Sequence, residues 1–145
     1  MSALVARRYY TRGLDELRKN EVDDALQDLQ AAVQLIPSYY EARIAYASAL
    51  LRIKDAPRAA QTLRAGLHYA ATGPVRAALL RALGDALVSA GDFPGAEQAF
   101  TESTATSAGD SADLHDRLAR LRARTGRFEE AFTELLAAAR LTKTT

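Results

Sequence analysis

The sequence predicts an all-α fold of about four helix-turn-helix repeats, eight antiparallel helices in all. Three observations carry that expectation. Apolar residues recur at helical spacing along most of the chain. Four classes of position repeat with one common set of steps. Gly, Pro and Asx signals punctuate the helical stretches.

The stretch Ala77–Ser103 shows the unit. Leu80, Leu83, Gly84, Leu87 and Val88 form one apolar stripe, and Gly91-Asp92 interrupts it. Gly ends a helix by accepting a positive φ, and Asp92 can cap the next one. Pro94 falls in the first turn of the new helix, where its missing N–H costs nothing. Phe93, Ala96, Ala99 and Phe100 form the second stripe. Small residues beside large ones let two helices approach closely and interlock. Gly84 has counterparts at Gly13, Ala47 and Ala119, and Ala96 at Ala25, Ala59 and Ala131. Phe100 matches Leu29, Leu63 and Leu135, while Ser103 matches Ala32, Gly66 and Ala138. All four series step by 34, 37 and 35 residues, which a generic bundle has no reason to do.

The elements follow in order. The first helix is expected from about Leu4 to Lys19, broken by Asn20-Glu21. The second spans Val22–Leu35, with Asp23 and Asp24 in a first turn that favours acids. Pro37 ends it, and Ser38-Tyr39-Tyr40-Glu41 reads as a capping box opening the third helix, which runs to Ile53. Asp55-Ala56-Pro57 starts the fourth, ending near Ala71. Thr72-Gly73-Pro74 reads as a turn that absorbs the 37-residue step. The fifth and sixth helices are the unit already described. Ser107–Ser111 is expected to be the loosest linker, the seventh helix to reach Thr125 before Gly126, and the eighth to end near Leu141 with a frayed tail to Thr145. Leu29, Leu63, Phe100 and Leu135 are the residues expected to dominate stability.

A period near 34 with these residue classes resembles the tetratricopeptide repeat family. The resemblance covers Ala6 to about Leu141. Gly13, Ala25, Ala32 and Pro37 fit the family's small and proline positions in the first repeat, and Leu83, Gly84, Gly91, Ala96 and Phe100 fit in the third. The chain departs from the family where an early Trp is expected, holding Tyr9, Arg43, Leu80 and His115 there. Arg122 also stands where a bulky apolar residue is usual. The resemblance implies a single right-handed α-solenoid domain over 1–145, with repeats at about 6–39, 40–73, 77–110 and 112–145.

It also implies a protein-interaction scaffold or adaptor. In the family the first helix of each repeat lines a concave groove that holds a peptide or helical segment of a partner. The matching positions are Arg7, Tyr10, Leu14, Leu17 and Arg18, then Glu41, Ile44, Ser48, Leu51 and Arg52. The third repeat supplies Ala78, Arg81, Asp85, Val88 and Ser89, and the fourth Asp113, Asp116, Arg120, Ala123 and Arg124. Tyr10, Leu14, Leu17, Ile44 and Leu51 rimmed by arginines have the anatomy of a binding patch, unless they merely pack against the next repeat. The alternative function is a dedicated chaperone for an exported protein, similar to the repeat chaperones of type III secretion. Docking of chaperone tails is not expected. Their carboxylate clamp would fall on Tyr10, Leu14, Ala45, Ala78 and Ala82, which cannot supply it.

Composition excludes other classes. Net charge is +1, so no electrostatic footprint points to nucleic acid. Of the five arginines from Arg117 to Arg127, Arg117 and Arg120 follow Asp113 and Asp116 at i,i+4 spacing, which partly neutralises the face, and no aromatic is interleaved to stack bases. There is no cysteine. His68 and His115 lie in different repeats, without metal-ligand spacing, and His115 takes an inward position. No nucleophile–base pair or phosphate loop is visible, so neither enzymatic activity, nor a metal, nor a cofactor is expected. No apolar run is long enough to span a membrane, and the chain reads as cytoplasmic. Sixteen arginines against three lysines suggest a GC-rich bacterial source. Phe132 and Leu136 stand where other repeats carry Leu26, Ala60 and Glu97, and Gln30, Arg64 and Thr101. They are expected at an open end, so that either the chain is cut from a longer array or this end pairs with another copy as a homodimer through its last helix.

Overall fold

The computed structural model describes residues 2–106 and 110–143. It contains eight helices and, among the described residues, no strand. They are α1 (Ser2–Arg18), α2 (Val22–Leu35), α3 (Tyr40–Arg52), α4 (Ala56–Leu67), α5 (Gly73–Ala90), α6 (Phe93–Thr104), α7 (Ala112–Arg124) and α8 (Phe128–Lys143). The chain divides into two compact units, Met1–Ala71 and Thr72–Thr145. In the first, α1 packs on α2, α2 on α3, and α3 on α4; in the second, α5 packs on α6, α6 on α7, and α7 on α8.

One turn closes every hairpin. Asn20, Lys54, Gly91 and Gly126 all adopt positive φ, between 61° and 84°. The following N–H in each case donates to the carbonyl five residues back. Glu21 reaches Glu16 at 2.8 Å, Asp55 reaches Leu50 at 2.9 Å, Asp92 reaches Leu87 at 2.9 Å and Arg127 reaches Arg122 at 2.8 Å. A left-handed residue with this long backbone bond satisfies carbonyls that a helix end leaves free. Asp55 and Asp92 then cap α4 and α6, accepting from the N–H of Arg58 at 3.3 Å and of Gly95 at 3.0 Å.

Glycine or alanine facing a large side chain sets the hairpin spacing. A Cβ on Gly13 would lie 2.6 Å from Leu29 Cγ, and one on Gly84 would run into the Phe100 ring. Leu29, Leu63 and Phe100 are fully buried, as are Ala25, Ala59 and Ala96. Ser103 is buried too, and its hydroxyl donates to the Ala77 carbonyl at 3.0 Å, tying α6 to α5.

Several expectations need correction. Leu135 is 47% exposed, unlike Leu29, Leu63 and Phe100. The helices α2 and α6 are each packed by the helix that follows, whereas among the described residues nothing follows α8. The capping box fails because α3 starts at Tyr40 with Tyr39 as its N-cap, which puts Ser38 one residue too early. The fourth helix stops at Leu67, short of Ala71. Gly73 and Pro74 open α5 rather than form a separate turn, with Gly73 at φ 84° and Pro74 in the first turn. The last helix includes Thr142 and Lys143. In the linker predicted at Ser107–Ser111, residues 107–109 lie outside the described residues, while Ser111 caps α7 by accepting from the Leu114 N–H at 3.3 Å.

Two of the polar residues at the Trp position find partners. Arg43 is buried and donates from Nε to the Pro37 carbonyl at 2.7 Å and from Nη1 to the Thr62 carbonyl at 3.0 Å. Burial lowers its pKa. His115 is held between Glu134, through Nδ1, and Asp110, whose Oδ1 lies 2.6 Å from Nε2. Arg122 bonds Glu97 at 3.2 Å and Glu134 at 2.5 Å, so a guanidinium network takes the place of an apolar side chain.

Two substitutions should act in opposite directions. Gly84→Ala forces the Phe100 ring aside and should lower unfolding free energy by about 1–3 kcal/mol. Lys54→Gly relieves a left-handed conformation that L side chains disfavour and should raise it by about 1 kcal/mol. Urea unfolding of both variants beside the natural chain measures each change.

Candidate functional site

In the first unit, α1 and α3 present the residues that the repeat pattern assigns to a groove. Thr11, Leu14, Leu17, Arg18 and Arg52 line a hollow of about 500 Å3. Leu14 is half-buried, while Leu17 is only 7% exposed and is first of all a packing residue. Arg52 donates to the Leu17 carbonyl at 2.7 Å, which fixes α3 against the end of α1. Arg18 is exposed and pairs with Asp15 at 2.8 Å. Ile44 and Leu51 are half-buried and Ser48 is exposed on α3. Tyr10 is half-buried, its ring centroid 5.2 Å from that of Tyr39 at a 51° tilt. Its hydroxyl pKa is raised by burial and by the charge of Glu41. Arg7 stands apart from the main hollow, beside a smaller one lined by Ile36, Ser38, Tyr39, Tyr40 and Glu41.

In the second unit a hollow of about 370 Å3 opens between α5, α6 and α7. It is lined by Asp85, Val88, Ser89, Phe100, Arg117, Arg120, Leu121 and Arg124. Val88, Phe100 and Leu121 give apolar surface, and three guanidiniums stand against one carboxylate. Arg117 bonds Asp85 directly and Asp113 at 3.2 Å, while Arg120 pairs with Asp116 at 3.2 Å. Arg124 lies over the Phe93 ring, 4.9 Å from its centroid. Arg81, assigned to the groove, is exposed and pairs with Asp113 at 3.3 Å rather than lining the hollow.

A profile described as tetratricopeptide repeat matches residues 10–74, 67–111 and 81–144, which together span nearly the whole chain. The chain belongs to the tetratricopeptide repeat family. No curated protein matches it. Among solved structures it is similar to MamA from Desulfovibrio magneticus RS-1, residues 41 to the end. The TM-score is 0.82 at 18% identity, covering 97% of this chain and 77% of that one. A second MamA crystal structure gives 0.83 at 19% identity, covering 96% and 79%. PilF from Pseudomonas aeruginosa gives 0.83 at 18% identity, covering 99% of this chain and 64% of that one. At such identities the likeness shows the fold, a tetratricopeptide-repeat solenoid. Modules of this fold serve protein–protein interaction, and no helix among the described residues is long and apolar enough to cross a membrane.

Repeat arithmetic places five of the eight residues lining the second hollow: Asp85, Val88, Ser89, Arg120 and Arg124. It misses Phe100 and Leu121, whose buried bodies read as core and whose edges reach the hollow. It also misses Arg117, which is set by its bond to Asp85 across the helix pair, a signal available only as opposite charges on neighbouring first helices.

Away from these hollows, the carboxylates of Glu16, Glu21 and Asp24 come within 4.8 Å of one another. Glu21 and Asp24 are exposed, a common state of surface acids, and the cluster carries no assignment as an ion site. Its effect is on Glu16. Asp28 is buried and gripped by Arg12, from Nε at 2.6 Å and Nη2 at 2.7 Å. Burial, the adjoining Asp28 and the charge of Asp24 push the Glu16 pKa up to about 7.

A carboxyl whose folded pKa exceeds its unfolded value favours the folded state only while protonated. Stability should therefore fall as pH rises from about 4.5 through about 7. Glu16→Gln removes that loss. Thermal melts should show the variant more stable than the natural chain at alkaline pH, with the gap closing below the unfolded pKa of Glu.

Proposed function

We propose that the protein is a non-enzymatic, cytoplasmic adaptor whose first-helix faces hold a segment of a partner protein. The observation that carries the reading is the hollow of the second unit. Positions that the family resemblance assigns to a groove, from two different helices, line one cavity with an apolar floor and an arginine-rich rim. A cavity of this size suits one bulky side chain and its neighbours. Tyr10, Leu14, Ile44 and Leu51, only half-buried on α1 and α3, offer comparable apolar surface in the first unit. Arg7, Arg18 and Arg52 are exposed there. The chemistry favoured is an apolar anchor with acidic neighbours, because three guanidiniums and one carboxylate line the hollow. The paired arginines of α7, none over an aromatic face able to take a base except at Phe93, favour protein over nucleic acid.

Selection from a random peptide display library should enrich sequences with an aromatic or aliphatic anchor beside Asp or Glu. Calorimetry on a selected peptide should show Tyr10→Ala weakening binding by about 2 kcal/mol if it engages the first unit. Arg120→Glu with Arg124→Glu should abolish binding if it engages the second. Enrichment of peptides lacking acids and anchors, or binding indifferent to all three substitutions, would remove the reading.

A further inference from the structure

One face of α8 carries Phe128, Phe132, Leu135 and Leu136, exposed by 69, 62, 47 and 44%. With Ala139 they fall on a single helical stripe. Repeat register divides it. Phe128 and Leu135 correspond to Phe93 and Phe100, where α7 packs on α6, Arg124 covers the Phe93 ring and Phe100 is buried. A further repeat would cover those two. Leu136 corresponds to Gln30 and Thr101, which stay exposed although α3 packs on α2 and α7 on α6. Stacking of repeats does not reach that position. Phe132, whose counterparts Leu26, Ala60 and Glu97 are half-buried or buried, would also be met by a further repeat, so it is the apolar Leu136 that asks for an occupant approaching the helix from another side.

We infer that α8 pairs antiparallel with α8 of a second copy, about a two-fold axis near Leu135 and Leu136. Size selects this occupant. The two-fold sets Phe132 opposite Ala139 of the second copy and Leu135 opposite Leu136 of the second copy, so the largest side chain meets the smallest. Charge selects it as well. Glu129 flanks the stripe in the first turn of α8, and Arg140 and Lys143 flank it in the last. The antiparallel pairing places Glu129 beside Arg140 and Lys143 of the second copy, whereas a parallel one would keep the acidic and basic ends of the two helices apart. None of the three makes an ion pair among the described residues, so all remain available. The neighbouring Glu130 is already engaged with Arg127 at 3.2 Å.

Sedimentation equilibrium of the full chain across the micromolar range tests this. A monomer–dimer equilibrium is expected. Phe132→Glu should weaken it at least about 30-fold. Circular dichroism should show helix content unchanged, because the side chain is exposed. Glu129→Lys should weaken the dimer about threefold, and addition of Arg140→Glu and Lys143→Glu should restore it. The natural chain has no cysteine. A chain with Glu129→Cys and Arg140→Cys should therefore form a covalent dimer on mild oxidation, while Glu129→Cys alone should not. A monomer throughout the range, the outcome expected if another repeat or a different protein covers α8, overturns the inference. So does a dimer indifferent to Phe132→Glu, or ready cross-linking of Glu129→Cys alone.

Discussion

The distance between the two helices of a hairpin is set where a residue without a side chain meets a large one. Gly13 lies under Leu29 and Gly84 under Phe100, and in both cases even a methyl group would overlap the neighbour. Close approach at that point lets the second small residue, Ala25 or Ala96, be wholly buried further along the pair. Each stripe then finds a continuous apolar partner, and the residues beyond it are turned outward. The hollows on α1 and α3 and on α5 and α7 exist because the first helices spend their small residues on this contact and keep longer side chains for the opposite face.

The turn that joins the helices is nearly independent of the residue that makes it. Glycine supplies it twice, asparagine and lysine once each, and the same long backbone bond closes all four. Backbone geometry dominates local preference here, because the packed hairpin stabilises more than a single left-handed residue costs. The Trp position behaves similarly. Leu80 fills it as an apolar residue, while Arg43 and His115 fill it with charge and hydrogen bonds. In both polar cases the partners come from outside the helix that carries the residue, so polarity ties elements together where hydrophobic contact would otherwise do so.

Much of this was legible in the amino-acid order. The coincident steps of Gly84, Ala96, Phe100 and Ser103 located the hairpins, and Gly91-Asp92 announced a turn and cap that the structure contains. What failed was local. Ser38 and Glu41 have the right spacing for a cap, yet the helix starts two residues after Ser38, with Tyr39 at its N-cap and no side chain capping it. Leu135 fits its series but lacks the covering helix that buries Leu29 and Phe100, and burial depends on neighbours that a series cannot count. The site was half visible for the same reason. Periodicity says which residues share a helix face, whereas the floor of the hollow is made by core side chains such as Phe100 and Leu121, whose edges show only once helices are placed.

The last hairpin carries an acid–base coupling of its own. Burial pulls the His115 imidazole toward neutrality, but the hydrogen bonds and charges of Glu134 and Asp110 outweigh it and leave the pKa above the ordinary 6.5. Closing α8 onto α7 therefore captures a proton. The attraction is complete in mildly acidic solution, below the unfolded value, and drains away as the medium turns alkaline past the folded one. Since Glu134 sits on α8 and also receives Arg122, loosening begins on one strut of a braced joint rather than across the whole helix. Loss of that proton weakens the tie between the last two helices, while the Arg122–Glu134 bond still holds them together.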